Sequence, residues 1–213
     1  MQYNSPFVKF LEAIANMFIV SFFWLVFCMH IVTIIPASAA LYYTTVEVIF
    51  GDGRGNGVVK AFWESFKENV KAGIPLSLVA VVAIAFIAEG LWTGYQLFRV
   101  SIWGMLYFIL GILITIIIVP AIIYVPIVLS KFEAPFMVTV KVAAYFAMKN
   151  PIISVLNVLL LAVMVLLVDV FPLSLLITPA LYVDLLRPSV EKRIGKFIEE
   201  NTAQDTSKEG EHA

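Results

Sequence analysis

The long apolar runs of this 213-residue chain contain a few ionisable residues that could do chemistry: His30, Glu89, Arg99 and Asp169. Ionisable groups are costly in hydrocarbon, so residues of this kind are candidates for a functional role. All four fall toward the outer ends of their runs, where together they could bind a polar solute or relay protons. In the alternative, each side chain reaches the headgroup region and is solvated by water. Their position near the ends of the runs favours this second interpretation.

Other chemistries have little support in the sequence. With two histidines and one cysteine, Cys28, the chain lacks the residues for a multi-histidine or cysteine-based metal centre and for an intrachain disulfide. The glycine-rich stretch at 51–57 lacks the Gly-Lys-Ser/Thr ending of a phosphate loop, and it predicts a flexible turn. No Gly-x-Ser-x-Gly elbow and no nucleophile with its base is recognisable. We therefore expect a protein that is not an enzyme, with no cofactor and no metal.

The composition is that of a membrane protein. Hydrophobic residues make up 62% of the chain and charged residues 14%, and the mean hydropathy is +0.98. Soluble domains are roughly half apolar and one quarter charged. Several apolar runs approach or exceed the roughly 20 residues that a helix needs to cross a bilayer. The sequence thus predicts an all-α integral membrane protein with one polytopic domain, residues 1–198, embedded in lipid.

The apolar runs predict five or six membrane segments, arranged as three helical hairpins that prolines interrupt. The segments lie at residues 17–35, 36–50, 73–98, 100–129, 151–171 and 172–187. Amphipathic helices in the membrane interface are predicted at 5–16, 58–71, 136–149 and 188–198. The polar, acidic residues 199–213 predict a disordered cytoplasmic tail. The number of segments stays open because a first helix that continues through Pro36 would give five.

An amphipathic stretch that ends in asparagine precedes each outward segment, at Asn16, Asn69 and Asn150. The pattern indicates either an internal duplication or a chance resemblance. In the clearest copy, one face carries Val59, Phe62, Trp63, Phe66 and Val70. We interpret part of this stretch as an interfacial docking surface: Phe62, Trp63, Phe66 and Lys67. The asparagines are expected to cap helices or to hydrogen-bond where the helices begin.

The basic residues predict the orientation of the chain. In the six-segment scheme, Arg99 alone among the 14 lysines and arginines lies on the outer side. The positive-inside rule then places both termini in the cytoplasm. The five-segment scheme moves only Lys9 to the other side, so charge does not separate the two schemes. The basic interfacial stretches are expected to contact anionic lipid and not nucleic acid.

The stretch TIIPASAALYY, residues 33–43, resembles a signal-peptidase site because it contains Ala-Ser-Ala. The apolar run before it is longer than that of a signal peptide and follows a start with little positive charge, which favours an uncleaved chain. Pro36 instead predicts a bend in the helix. Small residues next to the proline predict a face on which another helix packs closely: Ala37, Ser38 and Ala40.

The order of these elements resembles the YesL-like family, bacterial polytopic membrane proteins defined by an uncharacterised domain. The matching residues are Pro36, Ala37, Ser38 and Ala40, followed by Phe62, Trp63, Phe66 and Lys67. The resemblance covers about residues 10–80, and it departs from the family pattern at Met29-His30-Ile31. It implies a multi-pass protein of the bacterial cytoplasmic membrane. Family members often occur beside carbohydrate-uptake systems, so the resemblance implies, by association only, a role near sugar import.

Two functions from different classes follow. In the first, which we prefer, the protein is a non-enzymatic accessory or assembly partner of a membrane transport system, with carbohydrate uptake as one possibility. Its protein partner would be a transporter subunit or a second copy of the chain. In the second, the protein is itself a small-solute transporter or channel whose path contains His30, Glu89 and Asp169.

Overall fold

The computed structural model describes residues 6–51, 57–132, 134–149 and 151–211, and these residues form seven α-helices. The helices are α1 (Pro6–Cys28), α2 (Ile34–Tyr43), α3 (Val58–Phe98), α4 (Ile102–Phe132), α5 (Phe136–Lys149), α6 (Pro151–Val170) and α7 (Thr178–Glu211). Short 3-10 helices at Ile31–Thr33 and Pro172–Leu176 precede α2 and α7, and a π-helix at Thr44–Ile49 continues α2. Within these described ranges there is no strand, so the predicted all-α fold is confirmed.

Among the described residues, five stretches are long and apolar enough to cross a membrane, which agrees with a multi-pass protein. They are Phe7–Cys28, Ile31–Ile49, Val58–Phe98, Ile102–Phe132 and Pro151–Val170. The sixth predicted segment, 172–187, does not form a comparable helix. It consists of a 3-10 helix and the first turns of α7, and a helix from 178 to 187 rises only about 15 Å.

The first hairpin turns before Pro36 and not at it. Trp24 Nε1 donates a 3.1 Å hydrogen bond to Ser38 Oγ, although fourteen residues of continuous helix would separate the two by about 21 Å. The chain therefore reverses between α1 and α2, at Met29 and His30. The five-segment scheme, in which the first helix continues through Pro36, is not observed. Pro36 lies in the first turn of α2, where a missing backbone N–H leaves no helical hydrogen bond unmade.

α3 is one continuous helix of 41 residues, although the sequence predicts a break between an interfacial helix at 58–71 and a span at 73–98. Its buried residues keep helical spacing across the predicted break: Val58, Ala61, Phe62, Ser65, Phe66, Asn69, Gly73, Leu76, Ser77 and Ala80. A stripe at this spacing packs as one face. Packing along the stripe compensates for Pro75, which removes one hydrogen bond from the helix interior.

α7 is also continuous where the sequence predicts breaks. It runs through Pro188 to Glu211, so residues 188–198 are not a separate surface helix. Helix also continues into the region at 199–211 for which the sequence predicts disorder. The reason is that extending an existing helix costs far less than starting one. The predicted interfacial helix at 136–149, by contrast, is a separate helix, α5.

Gly73 lets α2 lie directly on α3. A Cβ atom on residue 73 would lie 2.7 Å from Pro36 Cδ, closer than real Cβ atoms come. One turn further, Ser77 Oγ accepts a 3.0 Å hydrogen bond from the Ile35 backbone N–H and donates a 2.9 Å bond to the Gly73 carbonyl. The first N–H groups of a helix have no partner within it, so Ser77 satisfies one such donor of α2.

The small-residue face of α2 packs inside the bundle. Ala37, Ala39 and Ala40 have no exposed surface, and Pro36 is also buried. The sequence predicts close packing at this face, and in the structure Gly73 of α3 lies against Pro36. Because the face is covered by the protein's own helices, it is not a free surface for a partner.

We predict that Gly73→Ala lowers the free energy of unfolding by about 1–3 kcal/mol, because the added methyl group overlaps Pro36. Gly195→Ala is the matched control, since a Cβ at residue 195 in α7 meets no atom within 4 Å. Alanine should stabilise that helical position by up to about 1 kcal/mol. Unfolding of the purified protein in detergent measures both values. A Gly73→Ala protein as stable as the parent would contradict the proposed contact.

Candidate functional site

An apolar cavity of about 330 Å³ lies among α1, α2, α4, α6 and α7. Its volume falls at the lower end of the range for small-molecule sites. The polar side chains on its wall are Ser38, Tyr42, Thr178 and Tyr182. All four make hydrogen bonds within the protein. The cavity therefore offers apolar surface and few free polar groups.

A charged cluster adjoins the cavity where α2, α4 and α7 meet. Lys131 Nζ lies 2.6 Å from Glu47 Oε1 and 3.0 Å from Glu191 Oε1. Tyr42, on the cavity wall, donates a 2.7 Å hydrogen bond to Glu191 Oε1. One lysine thus pairs with two carboxylates and links the end of α4 to α7 and to the π-helix after α2. No local spacing in the sequence indicates this cluster, because its members lie 60 and 84 residues from Lys131.

A second polar network surrounds the buried arginine Arg193, which is 9% exposed. Its Nη1 donates a hydrogen bond to the Tyr124 hydroxyl, and its guanidinium carbon lies 5.8 Å from the Tyr124 ring centroid. Asn157 Nδ2 donates a 3.1 Å bond to the same hydroxyl. In the described part of the chain, Arg193 Nε and Nη2 have no hydrogen-bond partner. The contact with the ring offsets part of the cost of burying the charge.

The polar residues predicted to form an outer cluster are all exposed: His30, Glu89, Arg99 and Asp169. Among the residues that the structure describes, no hydrogen bond or ion pair joins any two of them. Thr93 Oγ1 donates a 3.4 Å bond to Glu89, and the Arg99 guanidinium lies 6.0 Å from the Tyr95 ring. These contacts lie within a single helix or at its end. A binding role for the four residues stays a prediction.

The predicted docking residues on α3 separate into two pairs. Phe62 is fully buried and Phe66 is 7% exposed. Both pack against Phe27 of α1, with ring centroids 5.8 and 4.5 Å away. These two are core residues, contrary to the prediction that they form a docking surface. Trp63 and Lys67 are exposed, and Lys67 Nζ lies 4.8 Å from the Trp63 ring centroid.

The asparagines of the predicted repeat have different surroundings. Asn69 is buried, and its Nδ2 donates a 2.8 Å bond to the Ser65 carbonyl in its own helix. Asn16 is half-buried in the middle of α1. Asn150 and most of the glycine-rich turn, residues 52–56, lie outside the described residues. The predicted role of Asn69 in hydrogen bonding is thus observed, although α3 does not begin there.

Part of the chain matches a known protein family. Residues 17–90 match the family described as "Protein of unknown function, DUF624". The matched region begins within α1 and ends within α3, and it contains the Pro36–Gly73 contact. No curated protein and no solved structure matches the chain.

We predict that Lys131→Met destabilises the protein by about 1–3 kcal/mol, because Glu47 and Glu191 each lose a charge-assisted hydrogen bond and the cation that both contact. Lys192→Met is the matched control. Lys192 is an exposed lysine on α7, and its loss should change stability by less than about 0.5 kcal/mol. Adding Glu191→Gln to Lys131→Met should recover part of the loss. Equal unfolding midpoints for the two single variants would contradict a stabilising cluster.

Proposed function

We propose that the protein is a non-enzymatic accessory subunit of a membrane transport system, located in the cell membrane with its basic face in the cytoplasm. The observation that carries this proposal is how the polar groups are distributed. Those on the cavity wall and in the charged cluster already have hydrogen-bond or ion-pair partners within the protein. A row of basic and aromatic side chains on α3 instead faces outward. This arrangement suits docking on another protein better than carrying a polar solute.

We name this row the α3 docking row: Lys60, Trp63, Lys67 and Lys71, all exposed. Residues three or four positions apart share one side of a helix. The Trp63 ring stacks on buried Phe66 with centroids 6.0 Å apart and an interplanar angle of 15°. Lys67 covers it from the next turn. A tryptophan held in place before binding is a typical interface anchor, because little side-chain freedom is lost on association.

One observation favours the alternative function. α2, a short apolar helix, and the much longer α7 both begin within the bundle after breaks, as in many transporters, where such helix starts bind the solute. In this chain Ser77 and Ser21 already bond to the backbone N–H groups of Ile35 and Ala180. These two N–H groups already bond within the protein and cannot bind a solute, and this supports the accessory role.

We further propose that the chain is a YesL-like protein. The match over residues 17–90 supports this assignment, together with the Pro-Ala-Ser-x-Ala and Phe-Trp elements at 36–40 and 62–63. A carbohydrate-uptake system is then the first transporter to test as a partner, on the association that the resemblance implies. The partner would contact the α3 docking row.

We predict that Trp63→Ala reduces recovery of a crosslinked transporter subunit from native membranes by about tenfold or more, since loss of an interface anchor costs at least about 2 kcal/mol. Trp92→Ala is the matched control, because Trp92 is also an exposed tryptophan on α3, 64% exposed, but lies in its outer half. Mass spectrometry of the crosslinked complexes identifies and counts the partner. Undiminished recovery of the partner with Trp63→Ala would contradict this docking surface. If the α3 docking row contacts only lipid, no partner protein should be recovered even with the parent protein, which would also contradict the proposal.

We also predict no solute flux above that of protein-free vesicles when the purified protein is reconstituted alone. The double variant Glu89→Gln with Asp169→Asn should behave like the parent in this assay and in partner recovery. Flux of a small solute that the double variant abolishes would contradict the accessory role and support the transporter alternative.

A further inference from the structure

A polar cleft of about 490 Å³ lies between α3 and the ends of α2 and α4. It is separate from the apolar cavity, with which it shares no lining residue. Most of its lining residues carry an oxygen or an amide: Tyr43, Ser65, Glu68, Asn69 and Ser130. The lysines of α3 lie on the same part of the bundle, so the cleft is at the basic face.

The cleft presents more hydrogen-bond acceptors than donors. Asn69 is 7% exposed, and its Nδ2 is used by the Ser65 carbonyl and hydroxyl. Its Oδ1 has no partner in the described ranges. Ser130 uses its hydroxyl proton on the Ile127 carbonyl, so its oxygen is free to accept. Glu68 adds a carboxylate that forms no ion pair within the described part of the chain.

The end of α4 adds negative potential to the cleft. Leu129 and Ser130 lie in the last turn of this 31-residue helix. The last carbonyls of a helix lack partners within it and carry a partial negative charge. Lys131, in the same turn, is bound by Glu47 and Glu191, so its charge is already compensated.

We propose that this cleft binds a primary ammonium group. Such a group carries one positive charge and three donors and has no acceptor, which complements a carboxylate, an amide oxygen, a hydroxyl oxygen and a helix C-terminus. None of the α3 lysines lines the cleft, so Glu68 is the charged side chain that a phosphate or carboxylate ligand would meet there, and it would repel such a ligand. A neutral polyol would gain nothing from the charge. The ammonium could belong to a soluble amine or to the headgroup of an amine-bearing lipid, and both sources present the same chemistry.

Ethanolamine hydrochloride tests the proposal on the full-length protein in nanodiscs of phosphatidylcholine, with binding measured by calorimetry. We expect Glu68→Gln to weaken binding by roughly tenfold, the effect of losing one charge-assisted hydrogen bond. Glu64→Gln is the matched control, because Glu64 lies one turn earlier on α3 and pairs with Lys60 at 3.8 Å. Choline carries the same charge without N–H donors and should bind more weakly than ethanolamine, and glycerol should not bind.

A second arm identifies the source of the ammonium group. Nanodiscs that contain phosphatidylethanolamine are analysed by native mass spectrometry, with parent protein and Glu68→Gln compared. Retention of this lipid by the parent alone supports a lipid headgroup, whereas ethanolamine binding in phosphatidylcholine discs supports a soluble amine. The proposal is overturned if neither ligand binds, if Glu68→Gln binds as the parent does, or if choline, glycerol or sodium binds as well as ethanolamine.

Discussion

Two helices begin within the bundle, and the fold depends on how their first backbone donors are satisfied. An unpaired N–H group costs several kcal/mol in hydrocarbon. Proline removes one donor in the first turn of each helix, at Pro36 in α2 and at Pro179 in α7. A buried serine on a neighbouring helix accepts another: Ser77 serves α2 and Ser21 serves α7. These bonds have direction, so they fix α2 on α3 and α7 on α1 more sharply than apolar contact would.

The same bonds bear on function. A helix start inside a membrane protein is a natural site for an anion, provided that its N–H groups are free. Here neighbouring side chains use some of these groups, and the adjoining cavity wall is apolar apart from side chains that are already bonded. The polar atoms that these bonds use therefore hold helices together. Chemistry directed at other molecules is better sought at the surface, along α3 and in the cleft beside it.

The sequence predicts those elements whose limits are set by apolar length and by proline. The predicted span at 151–171 corresponds to α6, Pro151–Val170, and the interfacial stretch at 136–149 corresponds to α5. The prediction of helix limits fails where the fold accommodates a proline inside a helix. Gly73 and Pro75 resemble a helix break, yet the buried stripe of α3 continues through them because Gly73 is needed for contact with Pro36. The predicted bend at Pro36 is wrong for a related reason, since proline suits a helix start as well as a break.

The candidate sites are harder to predict from the sequence than the helices are, because the residues of each site meet only in the folded chain. Nothing in the local sequence around Lys131 indicates Glu191, and the amphipathic pattern around Asn69 gives no sign of a cleft. The structure nevertheless distinguishes two kinds of charge. Lys131 and its two carboxylates hold helix ends together and are explained by the fold. Glu68 is exposed, lines the same cleft as Asn69 and forms no ion pair within the described residues, so its carboxylate is free to bind a cation.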